Sequence, residues 1–362
     1  MGSANKKLVF VLPEYDENSS THFSHTLDLI DEIGKHVDVL LFIEYGKGSP
    51  VLKNVKRVYR QRFTFPVLSF AERFLCFLWF RIRGFKNFYV HYSYWSGIIG
   101  GLIYRGTGGR FYYWHCEAYQ SYGSDRRWFD FRWKFFDDLP LKFCLMLCSF
   151  LVTGTKSMAD FYTKVFHVSP GKIKILPNSI NLDRFDVGNI KKVRNQIVFV
   201  HWLAPRKGAD LLPEIISQCL RTNADLSFVI IGDGPLFGSL KNELGDNPHV
   251  KMTGALSNRD VQKHIAESEL LIMPSRQEGF PRVILEAMAL GTAFVSTDVG
   301  GVRDIVPADC NPVEPRDVDG FVKEMIKVIS DSNLRDNLIK SSSQKVKEFS
   351  HVEVAKIFVS LI

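Results

Sequence analysis

Nowhere in the 362 residues do the 18 or so consecutive apolar residues needed to cross a bilayer occur. The apolar run at 8–12 is too short for a signal-peptide core. Neither an integral membrane protein nor an exported one is therefore expected, and the cytoplasm is the expected location. Cysteine is also sparse: the six, at 76, 116, 144, 148, 219 and 310, show neither zinc-ligand spacing nor a Cys-x-x-Cys pair. That excludes zinc-ribbon and thioredoxin-like chemistry and leaves reduced thiols. Cys144 and Cys148 lie one helical turn apart in an apolar run, where packing is their expected role. There is no internal repeat and no low-complexity tract. The basic residues belong to no recognised RNA- or DNA-binding motif, so nucleic acid is not an expected partner.

A chain of this length holds two domains of ordinary size, each able to bury a core. Its net charge of +7 is unevenly placed. Residues 1–188 carry 25 Lys and Arg against 17 Asp and Glu, whereas residues 189–362 carry 21 against 22. The basic excess belongs to the first half, which is where an anionic partner or surface is expected. Short apolar runs at 7–12, ending at Pro13, and at 37–43, 88–92, 110–114 and 149–153 read as strands, with helical spacing at 22–33. Such alternation predicts an α/β fold with a mainly parallel, doubly wound sheet. The polar stretch 185–196 reads as a linker. Beyond it the alternation restarts, with strands at 197–200, 226–231, 249–252, 269–273 and 293–296, and helices from about 208 and at 235–244, 258–267 and 281–290. This predicts a second Rossmann-like domain.

The most informative segment is Glu278-Gly-Phe-Pro-Arg-Val-Ile-Leu-Glu286-Ala-Met-Ala-Leu-Gly291. Pro281 suits a first helical turn and Gly291 a stop, which predicts a helix from about Pro281 to Leu290. Glu278 then precedes the helix, and Glu286 lies roughly 7 Å further along its axis, at about 1.5 Å rise per residue. Between them the unpaired N–H groups of the helix start attract an anion, and carboxylates accept hydrogen bonds from sugar hydroxyls. A diphosphate flanked by two sugars matches this arrangement. The alternative is an i, i+4 pair of Arg282 with Glu286 on a solvated face, but the surrounding Val283, Ile284, Leu285, Ala287, Met288 and Leu290 leave almost no polar face. Arg before Glu is also the weaker orientation of such a pair.

This segment closely resembles the Glu-x7-Glu motif of glycosyltransferase family 4, retaining enzymes of the GT-B fold. Ile230-Ile-Gly232-Asp-Gly234-Pro235, Met252-Thr-Gly254-Ala-Leu-Ser257, Leu271-Ile-Met-Pro274-Ser275 and Leu176-Pro177-Asn178-Ser-Ile-Asn181 resemble further blocks of that family, in family order. The resemblance covers the carboxyl-terminal half almost throughout and the amino-terminal half in patches. It implies a GT-B fold of two Rossmann-like domains facing a cleft: 1–188 for the acceptor, 189–343 for the nucleotide sugar, and a carboxyl-terminal helix, 344–362, crossing back to the first domain.

The resemblance also implies roles. Glu286 would bind the ribose hydroxyls, while Glu278 and the Gly279-Phe280-Pro281 backbone would hold the donor sugar, with Gly232 and Gly254 in the donor-side blocks. The family's Gly-Arg-Leu-x-x-x-Lys-Gly block, which supplies an Arg and a Lys to the diphosphate, reads here His201-Trp202-Leu203-Ala-Pro-Arg206-Lys207-Gly208. Lys207 matches the lysine, Trp202 stands in the arginine's place, and Arg206 is a candidate for the missing charge. His115, after the apolar strand Phe111-Tyr-Tyr-Trp, matches the family's first-domain histidine and joins Glu278 and Lys207 as a catalytic candidate; a structural histidine at a strand end is the other reading. Where the family often has a Gly-Gly acceptor loop, this chain has Glu17-Asn-Ser-Ser-Thr21-His22, so Thr21 and His22 are the acceptor-side candidates.

Two segments mix cations with aromatics: 63–85, with Arg73, Trp79, Arg81 and Arg83, and 126–136, with Arg126, Arg127, Arg132 and Lys134. They suit an anionic membrane surface, with the protein peripheral on its cytoplasmic face. A packed helix with snorkelling arginines accounts for them as well. The function expected from the resemblance is a retaining, metal-independent, cofactor-free hexosyltransferase. It would move a sugar from a UDP- or GDP-sugar to a saccharide or lipid-linked acceptor in cell-surface glycan assembly. A non-catalytic sugar-nucleotide-binding relative is the alternative, prompted by Trp202 and the altered acceptor loop, and a nucleotide-sugar epimerase of the same fold is a third.

Overall fold

Strands buried on both faces read as unbroken apolar runs, and Leu8, Val9, Phe10, Val11 and Leu12 are all shielded from solvent. They form the centre of β1 (Lys7–Asp16) in a computed structural model that describes residues 6–17, 24–116, 130–188 and 190–362. The chain divides into two units: one runs to Ser179 and includes His351–Ile362, and the other is Ile180–Ser350.

In the first unit β1 is followed by α1 (Ser24–Gly34), β2 (Asp38–Lys47), β3 (Arg57–Arg60), α2 (Pro66–Ile82), β4 (Asn87–His91), α3 (Tyr94–Gly106), β5 (Arg110–Trp114), α4 (Asp130–Leu147), β6 (Phe150–Thr153), α5 (Lys156–Phe166) and β7 (Ile173–Ile175). The seven strands lie in the order β3-β2-β1-β4-β5-β6-β7, and all are parallel. β1 continues through Pro13 rather than stopping there. Its pairing with β4 ends at Val11 opposite Val90, and only β2 accompanies it onward to Asp16 opposite Lys47. A proline is tolerated where one side of the strand has no ladder partner. The edge strands β3, Arg-Val-Tyr-Arg, and β7, Ile-Lys-Ile, carry no apolar run long enough to announce them.

α2 is apolar on both sides. Phe77 and Phe80 are buried inward, while Leu75 (64% exposed), Trp79 (49%) and Ile82 (74%) face solvent. Arg73 is buried with them: its guanidinium donates to Gln61 (2.7 Å) and the Tyr45 hydroxyl (3.0 Å) and pairs with Glu44 at 3.4 Å. It is therefore removed from the set of cations available to a membrane surface. Arg81 is tied to Thr107, and Arg83 stacks over Trp79 with its guanidinium carbon 5.0 Å from the ring centre.

The second unit contains β8 (Val193–Val200), α6 (Leu212–Thr222), β9 (Ser227–Ile231), α7 (Phe237–Leu244), β10 (Val250–Gly254), α8 (Asn258–Glu267), β11 (Ser268–Met273), α9 (Arg282–Ala289), β12 (Ala293–Ser296), α10 (Val302–Ile305), α11 (Val318–Ser330) and α12 (Ser332–Lys345). Its five parallel strands run β10-β9-β8-β11-β12. Phe199, Ile230, Ile272 and Val295 from the strands pack with Leu212, Ile215, Ile216, Phe321 and Met325 from the helices. The strand order reverses between β8 and β11, and ligands of such sheets bind beyond the carboxyl ends of the strands at that point.

The unit boundary falls at Ser179/Ile180, not at 188/189. Ile180 bridges to Ser350 and donates to the Phe349 carbonyl at 2.8 Å, so 180–188 belongs to the second unit. Nor is 185–196 merely a linker. β8 begins at Val193, and the Lys192 ammonium is fixed on the Ser268 carbonyl (2.8 Å) and the Thr292 hydroxyl (2.7 Å). The helix placed at 344–362 is broken at Ser350, whose backbone is extended. Beyond that break, α13 (His351–Leu361) packs in the first unit. There Phe358 lies 4.9 Å from Tyr89 and 6.2 Å from Phe10, ring centre to ring centre, and the Tyr112 hydroxyl donates to the Leu361 carbonyl at 3.1 Å. Phe358→Ala should cost the first unit about 3–5 kcal/mol, read from urea unfolding. A loss below about 1 kcal/mol would show that α13 does not complete this core.

Candidate functional site

The loops that leave β8 and β11 meet at one buried carboxylate. Glu278 Oε1 receives three donors: Lys207 Nζ at 2.7 Å, Ser275 Oγ at 2.8 Å and His201 Nε2 at 3.1 Å. Glu278 is 6% exposed and Lys207 5%. Burial alone would raise the Glu278 carboxyl, but the Lys207 ammonium and the His201 hydrogen bond outweigh it and hold the group down at about 2. The histidine's proton can be placed from its partners. Its Nδ1 accepts the Trp202 backbone N–H at 2.9 Å, so the ring proton sits on Nε2 and points to Glu278. Burial lowers the His201 pKa, which favours this neutral form, and Glu278 opposes that shift.

The backbone holds the cluster in place. Lys207 ends a short 3-10 turn, Pro205–Lys207, and the Arg206 carbonyl accepts the N–H groups of Arg276 (3.0 Å) and Gln277 (3.2 Å). Arg276 in turn grips Asp210 with both terminal nitrogens, at 2.5 and 2.7 Å. Two glycines are required by close approach. A Cβ on Gly300, at φ +55°, would lie 1.7 Å from the Glu278 carbonyl, and one on Gly232, at φ +139°, 1.9 Å from the His201 carbonyl.

α9 starts one residue later than predicted. Pro281 is the extended N-cap residue rather than the first helical one, and Gly291, at φ +63°, follows the end. Glu286 lies in this helix, half-buried; burial raises its pKa and the charge of Arg282 opposes that rise. The Gly279 carbonyl accepts the Gly301 N–H at 3.3 Å, and the Phe280 ring turns inward, edge-on to Phe349 at 5.9 Å.

The second unit thus brings together Lys207, Glu278, Gly279, Phe280, Pro281 and the α9 start. Gly232 and Gly254 are joined by an N–H to carbonyl bond of 2.9 Å, and Gly232 packs beneath the His201 loop. The Arg206 side chain is exposed beside them, and its charge reaches His201. Trp202, where the family places an arginine, is 52% exposed. His115 belongs to the first unit, just beyond β5. It is buried, with its Nδ1 2.5 Å from the Tyr162 hydroxyl and its ring among Tyr92, Tyr94 and Tyr113. Thr21 and His22 lie outside the described residues, as do Arg126 and Arg127, and so do the side chains of Arg132 and Lys134. Sequence reasoning missed His201 and Ser275. Both follow the carboxyl ends of strands at the reversal point, and that position was the available signal. Among the described residues no group of three His, Cys, Asp or Glu is placed to hold a metal ion.

Two parallel, doubly wound units with this charge cluster in the second constitute the GT-B architecture. Solved structures share it along almost the whole chain. The UDP complex of HepE from Anabaena aligns with TM-score 0.73 at 15% identity, over 98% of this chain and 99% of that one. Sucrose-phosphate synthase from Thermosynechococcus elongatus aligns with TM-score 0.75 at 15% identity, over 99% and 98%. Residues 182–345, within the second unit, match the family model for Glycosyl transferases group 1. A phosphatidylinositol N-acetylglucosaminyltransferase subunit of Arabidopsis thaliana is 34% identical over 170 residues, 45% of this chain and 38% of that protein. The UDP-Gal:alpha-D-GlcNAc-diphosphoundecaprenol alpha-1,3-galactosyltransferase of Escherichia coli is 29% identical over 188 residues, 47% of this chain and 49% of that enzyme. The chain therefore spans less than half the length of either of these curated relatives.

Burial also has a consequence for stability in acid. His91 and His115 are buried, and that burial lowers both from 6.5 to about 3. Between those values the unfolded chain binds protons that the folded chain refuses. Their contribution is therefore complete above pH 6.5 and is lost as pH falls toward 3, at up to roughly 1.4 kcal/mol per pH unit for each. Urea midpoints measured from pH 7.5 to 5.5 should fall, and His115→Asn should flatten the dependence by about one proton. An unchanged slope would show that His115 titrates normally.

Proposed function

We propose that the chain is a retaining glycosyltransferase that moves a hexose from a UDP- or GDP-sugar to a saccharide or lipid-linked acceptor. The observation that carries this reading is the Lys207–Glu278 pair, buried at the carboxyl ends of β8 and β11 and followed directly by the start of α9. Lys207 and the N–H groups of the α9 first turn supply positive charge to a diphosphate, first in the ground state and then as charge develops on the leaving phosphate. Glu286, half-buried in α9 with burial raising its pKa and Arg282 opposing that rise, suits the ribose hydroxyls. Glu278 is a poor nucleophile: one oxygen already carries three donors, and its low pKa marks a weakly basic carboxylate. This favours transfer on one face of the sugar, with the departing phosphate taking the acceptor proton and the protein contributing position and charge. UDP in the HepE complex supports a uridine donor, and the E. coli relative's diphosphoundecaprenol acceptor supports a lipid-linked one. Assembly of a surface glycan is the setting in which such an acceptor is used. Exposure of Trp202 where the family has an arginine favours a second reading, a relative that binds nucleotide sugars without turning them over.

Calorimetric titration with UDP, GDP and ADP tests the donor. One diphosphate should bind clearly better than the others, and Glu286→Ala should weaken it about tenfold or more, the loss of a hydrogen bond to a charged group. Unchanged affinity in a folded Glu286→Ala protein removes the ribose assignment. Binding without hydrolysis or transfer of the matching sugar nucleotide favours the second reading.

The outer face of α2 supports a peripheral membrane location. No helix among the described residues is long and apolar enough to cross a membrane, yet Leu75, Trp79 and Ile82 stand exposed beside Arg83. Aromatic and aliphatic side chains at headgroup depth with cations on anionic lipid fit such a face. Wild-type protein should co-sediment with vesicles containing phosphatidylserine, and the Leu75→Ser, Trp79→Ser, Ile82→Ser triple variant should not. Equal co-sedimentation would assign the face another role.

A further inference from the structure

His201 occupies a place for which the resemblance gives no role: the family block has glycine there, followed by the arginine that Trp202 replaces. We infer that His201 is a positioning residue of the diphosphate site, a fixed Nε2–H donor that keeps the Glu278 carboxylate in place when Lys207 turns from it to an incoming diphosphate. The inference rests on the donor-site reading above.

Three observations support it. The first is that the imidazole is fixed at both nitrogens, by the Trp202 N–H on Nδ1 (2.9 Å) and by Glu278 Oε1 on Nε2 (3.1 Å). Its backbone is pinned as well, because the His201 N–H donates to the Ile231 carbonyl at 3.1 Å and Gly232 packs against the His201 carbonyl. The second is that, among the described residues, Lys207 is the only cation paired with Glu278, and His201 contacts it as a neutral donor. A diphosphate competes with this carboxylate for Lys207. A buried carboxylate that loses its cation is strongly destabilised unless other donors remain on it. His201 and Ser275 are those donors, on the same oxygen as Lys207. The third is that Trp202 leaves the site one cation short of the family pattern, which makes the freedom of Lys207 matter more. The charged groups that bear on His201 are Glu278, Lys207 and Arg206. As long as Lys207 is close by, a second cation on the ring is disfavoured, so the imidazole acts as a neutral donor.

The test compares His201→Gln, which keeps an N–H donor at a similar reach, with His201→Leu, which keeps bulk and loses the donor. Affinities for UDP and for uridine are measured by calorimetry, or for GDP and guanosine if the wild type prefers guanine. In His201→Leu, UDP affinity should fall about tenfold while uridine affinity stays within about twofold, because only the diphosphate draws on Lys207. His201→Gln should retain most of the UDP affinity. Adding Glu278→Gln to His201→Leu should restore UDP binding, since a neutral amide no longer captures Lys207. UDP and uridine affinities that fall together, or a Leu variant that binds UDP like wild type, would overturn the inference. A wild-type protein that binds neither nucleotide rejects the donor-site reading itself, and the two failures are thereby told apart.

Discussion

A lysine and a glutamate removed from water together make up the constraint around which the second unit is organised. Each ion alone would be costly to bury, and their attraction repays that cost only when the geometry is good and the remaining lone pairs are satisfied. At Oε1 of Glu278 both conditions are met. Lys207 sits 2.7 Å from Glu278, and Ser275 and His201 complete the same oxygen. Much of the surrounding backbone serves this arrangement. Gly300 lets the chain pass against the Glu278 carbonyl, the Arg206 carbonyl holds the Arg276–Gln277 loop, and the Thr297 hydroxyl donates to the Ser275 carbonyl. A pair of this kind contributes little to net stability and much to placement, because a misplaced partner leaves an uncompensated buried charge.

Most of the second unit's sheet was legible in the sequence because β9, β11 and β12 are short apolar runs buried on both faces, and α6, α8 and α9 bury one side. The helix at 258–267 and the strand at 293–296 were placed at their observed bounds. The strands that escaped notice, and the strand ends that were misplaced, are those whose burial is partial. β3 and β7 are edge strands, and the first residues of β8, Val193 and Arg194, lie exposed at the sheet's end. The unit boundary was misplaced for a related reason. The polar stretch 185–196 read as a linker, yet Ile180 is anchored by a bridge to a residue 170 positions away in sequence, at Ser350. Local composition carries no signal of such a contact.

The site was legible only as far as residue types carry chemistry by themselves. Glu278 and Glu286 stood out as carboxylates flanking the start of an apolar helix, and Lys207 through the resemblance of its block to the family's. His201 and Ser275 did not, since their roles come from pointing at Glu278 from two different loops, and that convergence exists only after β8 and β11 are neighbours. Arg73 shows the converse. In the sequence it joined Arg81 and Arg83 in a basic, aromatic segment; in the fold it turns inward to Glu44, while the face it was grouped with remains apolar and exposed. On a helix, residues a few positions apart point in different directions, so a linear cluster of cations is not yet a surface.

The exchange of arginine for tryptophan at 202 changes the electrostatics more than one lost contact suggests. In the unliganded site the charge of Lys207 is balanced by Glu278, and His201 is held neutral, so Lys207, Glu278 and His201 together present no net positive charge. A site that relies on an exposed arginine attracts a diphosphate from a distance. If the site takes a diphosphate as proposed, the attraction from Lys207 would develop at short range, as the phosphate drew Lys207 away from Glu278 and met the N–H groups of α9, with the exposed Arg206 beside the site. Exchange of partners within a buried network is nearly balanced when every group remains bonded, and strongly unfavourable when one is left bare. On that proposal the number of donors left on Glu278 after the exchange, rather than the number of cations in the empty site, would set how tightly a diphosphate is held.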